Sequence, residues 1–343
     1  MLMARRSSLG RIDRFELDQR PWLVSSGRPR TALNCNPDCN LPSVCWPETR
    51  LVHGLEPVLG RSLGCCGVSE GEPLIADGVT QGIVRIGDTV RRPLRPFSLT
   101  VQAYLAHLRD VGFAGAPLPL GVDEQGREVL SFVPGDVHRY PLPPETAGEE
   151  VLVALARLIR ALHEASAGWV PPPGAVWGGT PANTGRPITE RTELVSHRDY
   201  APGNVVFRSA LPAALIDFDL AKPTTRVYDI ANALWYWAPL RDPRDRPPAL
   251  ADADIPHRVA LFADAYGMTA QQRAGLMPLA VDMVRRYHED SRASAELDPV
   301  WRKAWEDGGG LAGTPAKVYL PRAEAWVREA APAITASLTG PAS

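Results

Sequence analysis

A change in hydrophobic period near residue 135 limits the fold of this chain more than any other feature. Ahead of it, from about residue 79, the runs are of β type. Gly82-Ile83-Val84-Arg85-Ile86 and Thr89-Val90-Arg91-Arg92 are joined by Gly87-Asp88, a hairpin-turn signal. Ser98 is placed to cap a helix whose Val101, Tyr104, Leu105 and Leu108 share one face, and Gly112 ends it. A third strand pair follows: Leu120-Gly121-Val122, a turn at Asp123-Glu124-Gln125-Gly126, then Glu128 to Val133, cut off by Pro134-Gly135. After about residue 145 helical spacing dominates, in Val151 to His163, Tyr228 to Trp237, His257 to Tyr266, Ala270 to His288 and Arg322 to Leu338. The pattern predicts a small sheet with one helix, then a mainly helical remainder.

The chain has 343 residues, enough for two domains or one two-lobed domain with a sizeable core. Three segments are expected: an N-terminal extension over 1–70, a strand-rich lobe over 71–135 and a helical lobe over 136–343. Residues 1–70 lack sustained periodicity and are punctuated by prolines at 21, 29, 37, 42, 47 and 57, so a disordered segment without a function of its own is expected there. It also holds all five cysteines: Cys35, Cys39, Cys45, Cys65 and Cys66. Their irregular spacing and the adjacent Cys65-Cys66 suit free thiols better than a zinc site. Cysteine-free sequence thereafter, with no secretory signal at the start, fits a reducing cytoplasm. No run of 18 apolar residues predicts a membrane helix, and a formal net charge of −2 gives nucleic acid no electrostatic attraction. One bias is sharper: of 37 basic residues only Lys222, Lys303 and Lys317 are lysines.

The informative stretch lies between the helices. Leu194-Val195-Ser196-His197-Arg198-Asp199 leads through Tyr200-Ala201-Pro202-Gly203 to Asn204-Val205-Val206-Phe207, and Ala214-Leu215-Ile216-Asp217-Phe218-Asp219 follows a short turn. Two apolar strands flanking a hairpin would bring Asp199, Asn204 and Asp217 to its ends. Two carboxylates and one amide there suit oxygen coordination of Mg2+, with one acceptor left for a substrate proton.

This constellation resembles the catalytic and metal-binding motifs of the aminoglycoside phosphotransferase family, which includes choline-kinase-like small-molecule kinases. The resemblance covers about residues 75–335 and is most specific over 195–221. It implies an α+β, two-lobed protein-kinase-like fold with a small antiparallel-sheet N-lobe and a larger mainly helical C-lobe. It also implies an ATP-dependent phosphotransferase that moves the γ-phosphoryl group to a hydroxyl of a small molecule, with ATP and Mg2+ as cofactors. On that likeness Asp199 is the catalytic residue, Asn204 and Asp217 hold the metal, and His197, Asp219 and Asp229 support the site. His197 is expected to act by packing and hydrogen bonding rather than by titrating.

Kinases of this fold usually place a lysine on the third strand, facing the nucleotide phosphates, and this chain has no lysine before Lys222. An arginine must serve, and only one of Arg91 and Arg92 can face the cleft because side chains alternate along a strand. The resemblance favours Arg91. It also makes Ser131, Phe132 and Val133 the hinge whose backbone meets adenine. Two departures stand out. The helix after Ser98 has Val101 and Gln102 where relatives carry a glutamate, and only Asp77 to Gly82 could cover the nucleotide. The missing lysine and glutamate motivate a competing reading, a nucleotide-binding pseudokinase that senses or scaffolds. For the acceptor, Asp242, Asp245, Asp252, Asp254 and Asp282 could present carboxylates to a cationic molecule, although arginines at 241, 244, 246 and 258 interleave with them.

Overall fold

The computed structural model describes residues 71–74, 82–140, 142–182, 191–308 and 313–339. The chain divides into two units, Met1–Leu63 and Gly64–Ser343, and every described residue belongs to the second. The five cysteines and most of the Asp77 to Gly82 loop lie outside the described residues.

The first lobe is a five-stranded antiparallel sheet: β1 (Glu72–Pro73), β2 (Val84–Ile86), β3 (Thr89–Pro93), β4 (Pro119–Val122) and β5 (Arg127–Ser131), in the order β1-β2-β3-β5-β4. The Gly87-Asp88 turn joins β2 to β3 as the sequence predicts. Pairing of β3 with β5 sets Arg91 opposite Val129 and Arg92 opposite Glu128. Helix α1 (Ser98–Asp110) buries Val101, Tyr104, Leu105 and Leu108, each of which stabilises by roughly 1.5–3 kcal/mol. Ser98 does not cap it: Phe97 is the N-cap, and the Ser98 hydroxyl donates to Glu128 instead.

The second lobe is mostly helical, with α2 (Glu149–Ser166), α3 (Arg226–Trp237), α4 (Ile255–Tyr266), α5 (Ala270–Leu297), α6 (Pro299–Asp307) and α7 (Ala316–Thr339). A Thr269–Gln272 capping box starts α5, and Gly267, at φ 78°, ends α4. Helices α5 and α7 run longer than the sequence predicts, and α6 is not foreseen. Two small sheets sit under the first lobe. One pairs β7 (Leu194–Ser196) with β10 (Lys222–Thr224); the other stacks β6 (Asp136–Val137), β8 (Val205–Arg208) and β9 (Leu211–Leu215). The β8–β9 turn holds Ser209 and Ala210 at φ 50° and 63°, matching the twist a two-residue hairpin requires. One continuous core runs from α1 through α2 into α3, α4, α5 and α7. No described helix is long and apolar enough to cross a membrane.

Candidate active site

The site forms where β7 and β8–β9 deliver their ends to the same place. The Ile216 N–H donates to the Asn204 carbonyl at 2.9 Å, which sets Asn204 beside Asp217. His197, fully buried, ties the two loops together. Its Nε2 contacts the Ile216 carbonyl at 2.8 Å, and its Nδ1 lies 3.2 Å from the Asp199 N–H. That pattern requires an Nε2–H tautomer, and burial pulls the imidazole pKa down, so the ring is neutral and acts as a brace. The Asn204 side-chain amide donates to Asp199 Oδ2 at 2.8 Å, so its oxygen is the atom left to meet a cation. Arg198 and Asp217 both adopt left-handed backbone, at φ 65° and 62°, an arrangement the surrounding fold has to enforce.

Tyr200 anchors this loop from below. Its N–H donates to Asn232 at 3.1 Å, its carbonyl accepts from Trp237 Nε1 at 2.7 Å, and its hydroxyl donates to Asp229 Oδ2. Asp229 also lies 2.9 Å from His163 Nε2 on α2. Burial alone would raise the Asp229 pKa, but contacts with His163, Ser196 and Tyr200 outweigh it and hold the carboxyl below its ordinary value. Asp229 is therefore wholly interior and acts on the Asp199 loop through Tyr200.

From the first lobe, Arg92 reaches into this cluster. Its Nε donates to Glu128 Oε2 at 2.6 Å, its Nη1 lies 3.2 Å from Asp217 Oδ1, and its Nη2 lies 2.6 Å from Asp219 Oδ1. Burial would lower the guanidinium pKa, but Asp219, Glu128 and Asp217 reverse that, and Arg92 stays a cation. Three carboxylates share one positive charge. Burial and then Asp217 push Asp219 up to about 7 against the pull of Arg92. Asp217 keeps a side chain 48% exposed, accessible to a cation from solvent.

Arg91, which the sequence reading favoured, faces the other side of β3. It lies 3.4 Å from Asp123 Oδ2 and hydrogen-bonds Thr89, because strand alternation turns it away when Arg92 points inward. Sequence reasoning also missed Glu128. It is fully buried on β5 and receives hydrogen bonds from Arg92, from Ser98 at 3.2 Å and from Gln102 at 3.2 Å. The acidic partner absent from α1 is thus supplied by the neighbouring strand. Its only sequence signal was a charge beside the apolar run Val129-Leu130. Gly178 was missed too: a Cβ there would lie 2.0 Å from the Asp219 carbonyl oxygen.

In the segment expected to be the hinge, the Ser131 N–H donates to Leu118 and the Phe132 N–H to Asp88, at 2.9 and 2.8 Å. Of the three expected adenine contacts, these two donors are engaged within the sheet. Arg85 covers the Phe132 ring at 3.7 Å. The acidic residues considered for a cationic acceptor are mostly engaged elsewhere. Asp242 binds Arg244, whose hydrogen bonds draw it down to about 2; buried Asp245 pairs with Arg322, Asp254 caps α4, and Asp282 pairs with Arg285 and Arg286. Asp252 is exposed.

A family model described as a phosphotransferase enzyme family matches residues 181–262, the span that contains Asp199, Asn204, Asp217 and Asp229. A trifolitoxin immunity protein from Rhizobium leguminosarum bv. trifolii is 33% identical over 246 residues, covering 68% of this chain and 91% of its own length. This chain belongs to the phosphotransferase enzyme family. Among solved structures, a choline/ethanolamine kinase family protein from Mesorhizobium loti superposes with a TM-score of 0.52 at 15% identity, over 80% of this chain and 94% of its own. The two-lobed α+β architecture of this phosphotransferase is therefore that of the kinase-like fold. Among its described residues, no group of three or more His, Cys, Asp or Glu side chains is arranged to hold a metal by itself. The hard oxygen donors of Asn204 and half-exposed Asp217 fit Mg2+, which characteristically takes one or two protein oxygens and completes its shell with substrate phosphates and water.

Proposed function

We propose that this phosphotransferase moves the γ-phosphoryl group of ATP to a hydroxyl of a small molecule. The observation carrying this reading is the convergence of Asp199, Asn204 and Asp217 on one loop cluster, with Arg92 entering from the opposite lobe. Asp199 accepts the proton of the acceptor hydroxyl as its oxygen bonds to the γ-phosphorus and the bond to the ADP oxygen breaks. The Asn204 amide holds that carboxylate in place. Asn204 and Asp217 together would hold Mg2+, which neutralises charge developing on the phosphoryl oxygens. Arg92 would turn its Nη groups from Asp217 and Asp219 towards the α- and β-phosphates while Glu128 keeps its Nε fixed. Ser131, Phe132 and Val133 border the adenine space; with the first two N–H groups engaged, Val133 is the residue to meet the base edge.

The pseudokinase reading rested on a missing lysine and glutamate. Arg92 and Glu128 supply that charge pair, which removes its motive. The test is Mg2+-dependent ATP turnover in Asp199→Asn. Proton acceptance of this kind contributes about 10²–10⁴-fold, so turnover should fall by that factor while ATP still binds. Turnover at the wild-type rate would refute the assignment.

A further inference from the structure

On the C-lobe side of Asp199 the structure assembles a set of tyrosines around a buried cation. The Tyr287 hydroxyl is bonded to Asn232, whose other end holds the N–H of Tyr200, next to Asp199. Trp235 meets the Tyr287 ring edge-on at 6.0 Å, and the Arg241 guanidinium lies over Trp235 at 4.6 Å. Hydrogen bonds and ring contacts therefore run unbroken from the catalytic loop to Arg241. Tyr236, Tyr287, Tyr319 and Tyr140 are all half-buried. After burial, the charge of Asp199 is the next influence raising the Tyr236 hydroxyl, and it also raises Tyr287. Arg241 acts on Tyr140 and Tyr319 in the opposite sense.

Arg241 is the anomaly. It is fully buried, one nitrogen donates to the Trp235 carbonyl, and the Tyr140 hydroxyl stands against the guanidinium, yet among the described residues its Nε and Nη1 complete no well-directed hydrogen bond. Among the described residues no carboxylate pairs with it: Asp242 is bound to Arg244 and Asp245 to Arg322. Unpaired buried charges are strongly disfavoured, and unused buried donors cost further. Tyrosines alone could form a cage for a cationic acceptor, but Arg241 already covers Trp235 and would repel a second cation.

We propose that the acceptor carries a carboxylate, held by Arg241 and the Tyr140 hydroxyl, with its reacting hydroxyl presented to Asp199. The inference rests on the phosphotransferase reading above and narrows its substrate class. Arginine is suited to the task because its fork meets a planar carboxylate with two parallel hydrogen bonds. Half-buried Tyr140 would have to shift for the acceptor to reach Arg241.

The experiment follows transfer of labelled γ-phosphate from ATP, with Mg2+ and the full chain, onto matched triplets of hydroxylated compounds. Each triplet shares one scaffold and presents a carboxylate, its neutral primary amide or an amine; N-acetylserine and N-acetylserinamide are two such members. The expected result is transfer at least about tenfold faster onto acids than onto their amides, the scale of a charge-assisted hydrogen bond. Arg241→Gln should raise KM for the acid by that factor and abolish the preference; Arg241→Lys should restore part of it. Tyr140→Phe, at a half-exposed position, should raise the same KM if Arg241→Gln fails to fold. Equal use of acid and amide, or preference for the amine, overturns the proposal. Absence of transfer to every acid also overturns it. In that case, ATP hydrolysis that depends on Mg2+ and on Asp199 shows that the broader reading survives, and its absence shows that both fall.

Discussion

Replacing Glu128 by glutamine would test whether a strand, rather than a helix, supplies the partner of Arg92, the cation proposed to face the phosphates. The side chain is fully buried and keeps its shape in Glu128→Gln, so packing is conserved and the charge alone is removed. Its carboxylate receives Arg92 Nε at 2.6 Å and is supported by Ser98 and Gln102, each at 3.2 Å. Hydrogen bonds to charged groups contribute about 1.5–3 kcal/mol, and breaking a buried ion pair costs about 3–5 kcal/mol. Arg92 retains Asp217 and Asp219, so the loss should lie at the lower end, about 2 kcal/mol. Released from Glu128, Arg92 is drawn further onto the metal-side carboxylates, and affinity for Mg2+-ATP should fall by roughly 10–50-fold at about 1.4 kcal/mol per decade. Urea unfolding and calorimetric titration with Mg2+-ATP read the two quantities separately. Adding Gln102→Glu to Glu128→Gln should recover part of both, because Gln102 Nε2 already lies 3.2 Å from Glu128 Oε1. Wild-type stability and affinity in the single variant, or no coupling in the double variant, would refute the reasoning.

Two further outcomes follow from the same geometry. Gly178→Ala places a Cβ 2.0 Å from the Asp219 carbonyl, a backbone atom that cannot swing aside, and should cost about 1–3 kcal/mol in urea unfolding with a parallel loss of ATP affinity. Asp229→Asn should destabilise the fold by about 3 kcal/mol at pH 7, since it breaks a buried His163 contact. The folded carboxyl of Asp229 is held below 3.8, so its contribution is full above that value and is lost as pH falls through the folded pKa. The gap between wild type and Asp229→Asn in urea titrations should therefore narrow below about pH 4; a gap that stays constant would remove Asp229 from the ionised network.

What the sequence could convey depended on how far each contact reaches along the chain. Asp199, Asn204 and Asp217 were legible because one loop and one hairpin bring them together, so their spacing alone encodes the geometry. Arg91 and Arg92 could be narrowed to a pair but not ordered. Alternation requires one to face inward, and the phase is set by pairing with β5, more than thirty residues away. Glu128 was invisible for the same reason: it stands opposite Arg92 only in that register. Ser98 was expected to cap α1 because serine before an apolar face signals a cap, yet its hydroxyl serves Glu128. The segment expected to be the hinge follows β5, but sequence alone could not show that Ser131 and Phe132 had committed their N–H groups within the sheet. Arg241 sat in a row of alternating charges that the sequence offered only as arginines interleaved with candidate acceptor-binding carboxylates. Only the fold reveals that its neighbours pair among themselves and leave it buried.

The central claim is that Asp217 and Arg92 meet the phosphates of one metal-bound nucleotide. Calorimetric titration of ATP, with and without Mg2+, into wild type, Asp217→Asn, Arg92→Gln and Arg91→Gln tests it most directly. Wild type should bind ATP far more tightly with Mg2+ than without, and Asp217→Asn should lose that dependence. Arg92→Gln should bind at least tenfold more weakly, the scale of one charge-assisted hydrogen bond, while Arg91→Gln stays within about twofold of wild type. Binding that ignores Mg2+ in wild type, or a larger loss in Arg91→Gln than in Arg92→Gln, would contradict the account.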